Sequence, residues 1–353
     1  MAQRWADVDL AAIGYNVRYI CARLEPRTRL IAVVKADGYG HGAEMAARAA
    51  IEAGAWGIAV STAVEAAELR GLVERERLLA LGGLAPGDAA EAVAADCAVT
   101  CHSEEMVSAL EAAQPEQRVP VHLKVDTGMA RLGCSISEAP GLARRIAGSR
   151  VLSLAGVYTH FAASETDHQF TLEQFERFQR VLESLEVDPG LRHAANSAAA
   201  LRHPEMGLDA VRCGIALYGC EWQGLRPALR LRSVITQVKD VAEGSSVGYG
   251  RTWRAPRAAR VATVAIGYED GVMRSRSGRG EVVVAGRRAP LVGRVSMDQI
   301  TVDVTGIPEA RPGQPVTLIG DGITAEEVAE WSGTISYEVL TALGRRVERR
   351  YRE

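Results

Sequence analysis

The 353-residue sequence lacks several features that would direct a protein to a specialised environment. It has no run of apolar residues long enough to span a bilayer, and its start, MAQRWADVDL, has no signal-peptide core. Its net charge of −3 at pH 7 offers no general attraction to nucleic acid or to anionic membranes. We therefore expect a cytoplasmic protein with neither a nucleic-acid nor a membrane partner.

Paired cysteines of the kind that bind metals are also missing. The six cysteines form no Cys-x-x-Cys pair, and only Cys97, Cys101 and His102 lie close together along the chain. Their segment, DCAVTCHSEE, has the pattern of a short buried strand that runs into a helix cap. No second pair of ligands follows nearby, so we expect buried free thiols and no metal site.

From about residue 30 to residue 219 the sequence alternates short apolar runs with amphipathic segments typical of helices. There are eight such runs, which favours a parallel (β/α)8 TIM-type barrel over a doubly wound sheet of about five or six strands. The runs are LIAVVKA (30–36), AWGIAV (55–60), LLALGG (78–83), CAVTC (97–101), VPVHLKVDT (119–127), LAGVYTHF (154–161), LRHAANS (191–197) and VRCGIALYG (211–219).

After residue 226 the sequence becomes β-rich and is broken by glycine and proline turns. We predict a barrel domain over 10–226 and a mostly β C-terminal domain over 227–353, which residues 1–9 join through the segment WADVDL. One short helix, in TAEEVAEWSG, should begin at the N-cap Thr324 with Glu327 three residues on. The basic tail GRRVERRYRE has the pattern of a solvated helix end rather than of a nucleic-acid site.

Polar residues stand at the ends of five of the predicted barrel strands. Barrel enzymes place their chemistry at the C-terminal ends of the strands, so these residues are the candidates. Cations, a histidine and small hydrogen-bond donors at one barrel mouth predict an anionic ligand. In chain order the candidates are Lys35, Arg131, His160, Asn196, Ser197, Arg212 and Gly214.

Lys35 has two interpretations. It could extend from a strand end to water, or it could form an imine with an aldehyde. A free lysine of pKa ~10.4 is neutral about once in 2,500 at pH 7, so a nucleophilic lysine needs burial or nearby cations. Arg131 and Arg212 supply such cations. An aldehyde cofactor with a phosphate group would also suit the loops after strands seven and eight, where barrels commonly bind phosphate. Those loops contain Ser197, Gly214 and Ile215.

Motifs across nearly the whole chain resemble, in order and spacing, those of the alanine racemase family, which uses pyridoxal phosphate in a barrel followed by a β domain. KADGYGHG alone is a specific signal for this family. The matching segments are VVKADGYGHG, DTGMARLG, VYTHFAASE, HAANSAA, VRCGIALYG, SVGYG, GRVSMDQ and TISYEVL.

The resemblance implies two acid–base groups. Lys35 would hold pyridoxal 5'-phosphate through an imine bond and act on one face of the substrate, and Tyr249 of the partner subunit would act on the other. By itself Tyr249 looks like a half-buried strand tyrosine. His160 and Arg212 would stabilise its phenolate through a hydrogen-bonded network. The implied protein is a homodimer that interconverts L-alanine and D-alanine and supplies D-alanine for peptidoglycan.

The resemblance assigns further binding residues. Arg212 would contact the pyridine nitrogen, and because an arginine keeps its own proton, this contact disfavours a decarboxylase. Arg131 would contact the cofactor's phenolic oxygen and the substrate carboxylate. Met297 of the partner subunit would meet the same carboxylate through its backbone. The other implied cofactor-binding residues are Tyr39, His160, Asn196, Ser197, Gly214, Ile215 and Tyr337.

Lys124 lies seven residues before Arg131. In the family a lysine at this place is often carbamylated, which reverses its charge and lets it orient the arginine; Asp126 is the alternative partner. The chain departs from the family pattern at a few positions, none of which carries a reacting group. Cys213 stands for a usual proline, Ala130 for a glycine, Gly248 for a serine and Ser296 for a cysteine.

Two of these departures, at Gly248 and Ser296, adjoin the substrate entrance, so the exact substrate preference stays open. A broader or serine-preferring racemase of the same fold is one alternative. A non-catalytic pyridoxal-phosphate carrier is another, which the C-terminal domain and its Tyr249 disfavour because such carriers resemble the barrel alone.

Overall fold

The structure is a computed structural model and describes residues 3–353. The chain forms two compact units, and each is described by itself. One unit contains Ile13–Gly38 and Ala43–Leu217. The other contains the described residues up to Ala12, together with Tyr39–Gly42 and Tyr218–Glu353.

The first strand, β1 (Arg4–Asp9), is followed by the helix Leu10–Cys21. Eight parallel strands then close into a barrel. They are β2 (Arg29–Val33), β3 (Gly57–Val60), β4 (Leu78–Ala80), β5 (Ala98–Cys101), β6 (Val119–Lys124), β7 (Leu152–Tyr158), β8 (Leu191–His193) and β9 (Ala210–Cys213). The helices of this unit are Ala43–Glu52, Ala63–Glu68, Ala89–Ala94, Glu104–Ala112, Ala139–Gly148, His168–Ser184 and Ser197–Arg202.

The barrel strands form where the sequence is largely apolar. Every residue of β3, β5 and β6 is buried, as expected for parallel strands that are covered on both faces. Each of the eight predicted runs overlaps one of these strands, and the prediction of a (β/α)8 barrel followed by a mostly β domain is confirmed. The strands are shorter than the runs, so that β2 ends at Val33, two residues before Lys35.

The second unit is built on an eight-stranded sheet in the order β15-β14-β17-β10-β1-β18, with β13 paired to β10 and β16 paired to β13. The ranges are β10 (Leu229–Val241), β13 (Ala259–Val264), β14 (Glu281–Val284), β15 (Arg287–Pro290), β16 (Ile300–Asp303), β17 (Pro315–Ile319) and β18 (Glu348–Arg352). A separate two-stranded ribbon joins β11 (Ser246–Val247) to β12 (Trp253–Arg254), and two helices span Ala325–Ser332 and Ser336–Thr341.

The first strand, β1, lies within this sheet, next to its end. It pairs antiparallel with β10 and parallel with β18, so the segment WADVDL forms one of the strands of the sheet. The predicted N-cap is also confirmed. The Thr324 hydroxyl accepts from the Glu327 N–H at 3.1 Å, and the Glu327 carboxylate accepts from the Thr324 N–H at 3.2 Å.

The prediction of a helix end for the basic tail is wrong. The tail forms β18, which pairs along the edge of β1, because that edge offers its backbone groups and a buried acid. Arg352 donates to the carboxylate of Asp7 at 3.0 Å, and Asp7 is 3% exposed. Arg349 donates to the Gly40 carbonyl at 3.1 Å. Because these arginine side chains are hydrogen-bonded within their own unit, the tail is stabilised as a strand.

All six cysteines are free thiols; Cys21 is half-buried and the others are buried. Among residues 3–353, no group of three or more His, Cys, Asp and Glu side chains is arranged to hold a metal ion. In the same range, no helix combines the length and the apolar character needed to cross a membrane.

Candidate active site

The predicted cationic residues of the barrel unit interact with one another electrostatically. Lys35 follows β2, Lys124 is the last residue of β6, and Arg212 lies in β9. The positive charges of Arg131 and Arg212 both act on Lys124, and Arg131 also acts on Lys35. The ends of these strands therefore form one strongly positive mouth, as the sequence predicts for an anionic ligand.

A left-handed turn follows Lys35 directly. Ala36, Asp37 and Gly38 have φ values of 52°, 53° and 61° with ψ between 42° and 53°. This conformation costs roughly 1–2 kcal/mol for each residue other than glycine, and such strain is typical of functional sites. The turn changes the direction of the chain directly after β2, so that Lys35 lies at the end of the strand, at the rim of the barrel.

Specific hydrogen bonds hold this turn. The Ala36 N–H donates to Glu65 Oε1 at 2.8 Å, and Glu65 Oε2 accepts from the Ser61 N–H at 2.6 Å. The Asp37 carboxylate accepts from the Ala43 N–H at 3.0 Å, which closes the loop after the turn. One carboxylate thus joins the ends of two neighbouring strands, β2 and β3.

Both barrel lysines have a lowered pKa. Burial lowers the pKa of Lys35 and Arg131 lowers it further, while Glu65 opposes the shift. Burial together with the charges of Arg212 and Arg131 lowers the pKa of Lys124 to about 8, against a small opposing effect of Asp126. An amine is nucleophilic only when neutral, so these environments prepare both lysines for reaction with carbon electrophiles.

Arg212 is buried and held from several sides. Its Nη2 atom donates to the carbonyls of Thr159 at 2.7 Å and Ala194 at 2.9 Å, and contacts His160 Nδ1 at 3.2 Å. Its Nη1 atom lies 2.6 Å from His193 Nδ1. Within the described part of the chain its Nε–H makes no hydrogen bond, and it is the donor left for a ligand. Burial lowers the pKa of Arg212 to about 10, so the guanidinium stays charged at pH 7.

His160 is neutral at ordinary pH. Burial lowers its pKa well below the usual value, and the charge of Arg212 adds to the effect. Because arginine can only donate, His160 Nδ1 must accept and its proton must lie on Nε2. The contact with Arg212 therefore leaves His160 with an N–H donor on the other side of its ring.

The loop that carries Arg131 is organised by Asp126. One oxygen of this carboxylate accepts from the N–H groups of Gly128, Met129 and Ala130 at 2.9 to 3.1 Å. Ala130 has φ +55°, in the left-handed region that glycine adopts at lower cost. Asp126 thus holds the loop backbone through Oδ1, and its Oδ2 atom is not used in these bonds.

The small donors predicted after β8 and β9 lie together. The Gly214 N–H donates to Ser197 Oγ at 3.0 Å in a buried contact that links the two strand ends. Asn196 caps the helix that begins at Ser197, since its side chain accepts from the Ala199 N–H at 3.1 Å. Ile215 follows directly and is 2% exposed.

The remaining candidates lie in the second unit. The rings of Tyr39 and Tyr337 have centroids 6.1 Å apart, and Tyr39 also stacks on Tyr218 at 5.0 Å. Tyr249 and Met297 are 72% and 51% exposed. Both side chains are therefore open to solvent in the single chain.

Comparisons with known proteins decide the family. A model described as the alanine racemase N-terminal domain matches residues 8–221, and one described as the alanine racemase C-terminal domain matches residues 228–351. The chain belongs to the alanine racemase family. It is accordingly an isomerase.

Full-length relatives agree. An alanine racemase of Desulfovibrio desulfuricans is 42% identical over 99% of this chain and 98% of the relative. Among solved structures, alanine racemase from D-cycloserine-producing Streptomyces lavendulae is 37% identical with a TM-score of 0.92, covering 100% of this chain and 98% of that one. Alanine racemase from Bacillus anthracis with bound L-Ala-P is 38% identical with the same TM-score, covering 100% and 96%.

Sequence reasoning missed several residues that shape this alanine racemase site. Glu65, His193 and Tyr158 hold the turn, the arginine and the second lysine. His193 and Tyr158 lie within the matching segments HAANSAA and VYTHFAASE, but neither of them was assigned a role from the sequence. The small number of lysines is a feature of the sequence that points to the site. Only three of the 41 lysine and arginine residues are lysine, and two of these three, Lys35 and Lys124, lie in the barrel mouth.

Proposed function

We propose that the protein interconverts L-alanine and D-alanine with pyridoxal phosphate bound covalently to Lys35. The observation that carries this proposal is the lowered pKa of Lys35 at the barrel mouth, where arginines supply the positive charge. Arginine stays protonated at any ordinary pH. A lysine among arginines is therefore the cationic residue of the site that can supply a neutral amine. The bound L-Ala-P of the Bacillus anthracis relative supports an alanine-sized substrate.

The residues present fit pyridoxal phosphate. Ser197 and Gly214 form a buried pair of small polar groups for a phosphate, and Arg212 has an Nε–H donor for the pyridine nitrogen. Asn196, Ile215, Tyr39 and Tyr337 would complete the binding set. When bound, the cofactor supplies an aldehyde for the amine and an electron-withdrawing ring that makes the α-proton of the substrate acidic.

Racemisation needs a proton removed from one face of the α-carbon and returned to the other. Lys35 would serve one face with its nitrogen and Tyr249 the other with its phenolic oxygen. Neutral His160 can donate to the phenolic oxygen through Nε2 while Arg212 fixes its other nitrogen. The exposure of Tyr249 and Met297 supports a homodimer in which these residues reach the partner's Lys35.

Arg212 favours racemisation over decarboxylation. Its pKa of about 10 keeps it charged at pH 7, so it would donate a hydrogen bond to the pyridine nitrogen and keep its proton. A pyridine ring held unprotonated in this way would withdraw electrons less strongly than a protonated one. Rapid reprotonation by Lys35 or Tyr249 suits that condition.

Lys124 is proposed to carry a carbamate that orients Arg131. At a pKa of about 8, about a tenth of Lys124 is neutral at pH 7. The neutral nitrogen attacks the carbon of CO2, forms an N–C bond and releases one proton to solvent. The positive charge becomes a negative one, and Arg131 gains an anionic partner in place of a repelling cation.

The test is proton NMR of L-alanine with purified protein and pyridoxal phosphate in heavy water, alongside chiral analysis. Loss of the α-proton signal with formation of D-alanine is expected, and a parallel run with L-serine measures specificity. Absorption of bound cofactor without exchange of either amino acid would overturn the proposal in favour of a carrier. Supply of D-alanine to peptidoglycan and location in the cytoplasm stay predictions.

A further inference from the structure

Two histidines that are not among the predicted cofactor-binding residues, His122 and His193, form a hydrogen-bonded chain behind Arg212. His122 Nδ1 lies 2.8 Å from His193 Nε2, and His193 Nδ1 lies 2.6 Å from Arg212 Nη1. The three side chains come from β6, β8 and β9 and are at most 3% exposed. The chain therefore crosses the barrel interior between three strands.

The direction of these hydrogen bonds follows from arginine, which has no acceptor. His193 Nδ1 must accept from Arg212, so the proton of His193 must lie on Nε2. That proton is donated to His122 Nδ1, and the proton of His122 must then also lie on Nε2. Burial lowers the pKa of both histidines, that of His122 to about 3, so both rings are neutral. Only one arrangement of protons satisfies the chain.

The His193 contact is the one hydrogen bond that Arg212 Nη1 makes within the described residues, whereas Nη2 has the carbonyls of Thr159 and Ala194 and the ring of His160. Two ends must be fixed to hold the plane of a guanidinium. Tyr158 limits the His193 ring, because the two rings stack with centroids 4.7 Å apart at 5°. Rotation of the His193 ring out of the chain is thereby restricted. Whether His193 accepts a hydrogen bond from Arg212 then depends on which of its nitrogens carries the proton.

The barrel is shaped to admit His122. A Cβ atom on Gly156 in β7 would lie 2.5 Å from His122 Nδ1 and 2.7 Å from the Leu191 carbonyl, so only glycine leaves room for the ring in this position. His122 also lies among the residues that line a groove of about 910 Å³ at the N-terminal ends of the barrel strands.

We propose that His122 is a positioning residue for Arg212: its Nδ1 atom fixes His193 as the Nε2–H tautomer, and His193 in turn holds Arg212 Nη1. Without an acceptor at position 122, the Nε2–H of His193 is buried and unpaired, which favours the other tautomer. That tautomer sets an N–H of His193 against an N–H of Arg212 and releases one end of the guanidinium. The inference rests on the proposed function in one respect, the identity of the ligand that Arg212 would bind.

The test compares His122→Leu, which removes the acceptor, with His122→Asn, whose carboxamide keeps an acceptor near the place of Nδ1. The first readout is 15N NMR of protein labelled only at its seven histidines. In the wild type, three buried rings, those of His122, His193 and His160, should show the Nε2–H tautomer unchanged from about pH 6 to pH 9. His122→Asn should retain this signal for His193, and His122→Leu should lose it.

The second readout is kinetic. His122→Leu should lower kcat about tenfold while KM stays within about twofold and the cofactor still loads, and His122→Asn should recover most of the rate. A Nδ1–H or cationic His193 in the wild type would overturn the proposal even if no variant folds. A lowered kcat with an unchanged His193 tautomer would also overturn it. If the wild type fails to racemise alanine, the proposed function fails, and the NMR of the tautomers still decides the positioning chain.

Discussion

Lys124 Nζ lies 5.4 Å from the centroid of the Tyr158 ring, and Arg212 Cζ lies 5.0 Å from the same centroid. Two cations thus share one buried aromatic ring, whose own pKa burial raises to about 12. The ring faces attract cations, but burial and mutual repulsion make the protonated lysine costly. Lys124, with a pKa of about 8 against about 10 for Arg212, is therefore the member of this pair that loses its proton more readily.

The carbamate at Lys124 is testable directly. With 13C-labelled bicarbonate, the wild type should show a carbamate carbon in 13C NMR that is absent from Lys124→Met. Loss of the carbamate should reduce kcat/KM about tenfold, because Arg131 loses the group that orients it. Lys239→Met, at the remaining lysine, is the matched control and should retain both the signal and the rate. A wild type without a carbamate carbon would contradict the assignment.

Lys124 also makes stability depend on pH. The folded pKa is about 8 and the ordinary value is 10.5, so between these pH values the unfolded chain binds more protons than the folded one. The free energy of unfolding should therefore rise with pH across this window, by at most about 1.4 kcal/mol per pH unit, and not below it. Urea unfolding in CO2-free buffer at fixed protein concentration measures the rise. An equal rise in Lys124→Met would show that Lys124 is not its source.

Lys35 should be the amine that carries the cofactor. Borohydride reduction of the loaded protein, followed by peptide mass mapping, should find pyridoxal phosphate on the peptide that contains Lys35. The mapping is unambiguous because the chain has only two other lysines, Lys124 and Lys239. Lys35→Ala should bind no cofactor covalently, while Lys239→Ala should bind as the wild type does. A label on either other lysine would refute the assignment.

Subunit mixing tests whether Tyr249 acts on a neighbour. Lys35→Ala and Tyr249→Phe should each be severely impaired alone. If the two residues meet across a dimer, co-expression of both variants creates heterodimers with one intact site each, and random pairing restores about a quarter of wild-type activity. Activity that stays at the level of the separate variants would mean that each site is built within one subunit.

Much of the barrel and part of the site could be predicted from the sequence. Eight apolar runs are enough to predict eight buried strands, because parallel strands covered on both faces need continuous apolar sequence. Polar residues at or just beyond the ends of those runs, such as Lys35 and Arg131, stand out by contrast with them. The same apolar pattern that predicts the strands therefore also predicts where these polar residues lie.

Other features could not be predicted because their cause lies outside their own segment. His122 and His193 lie within strands, and only the closure of the barrel brings them to Arg212. The left-handed conformation of Ala36 goes against its local preference and depends on the carboxylate of Glu65. The tail becomes β18 because β1 offers an edge, which no local pattern in the tail reveals.

The most direct test of the two-base account is α-proton exchange by Tyr249→Phe in heavy water, followed separately from L-alanine and from D-alanine. The account predicts that cofactor loading is retained and that exchange from one enantiomer, the one served by Lys35, continues. Exchange from the other should slow by about 100-fold or more, since its general base is gone. Tyr19→Phe is the control and should exchange both as the wild type does. Normal exchange from both enantiomers by Tyr249→Phe would contradict the account.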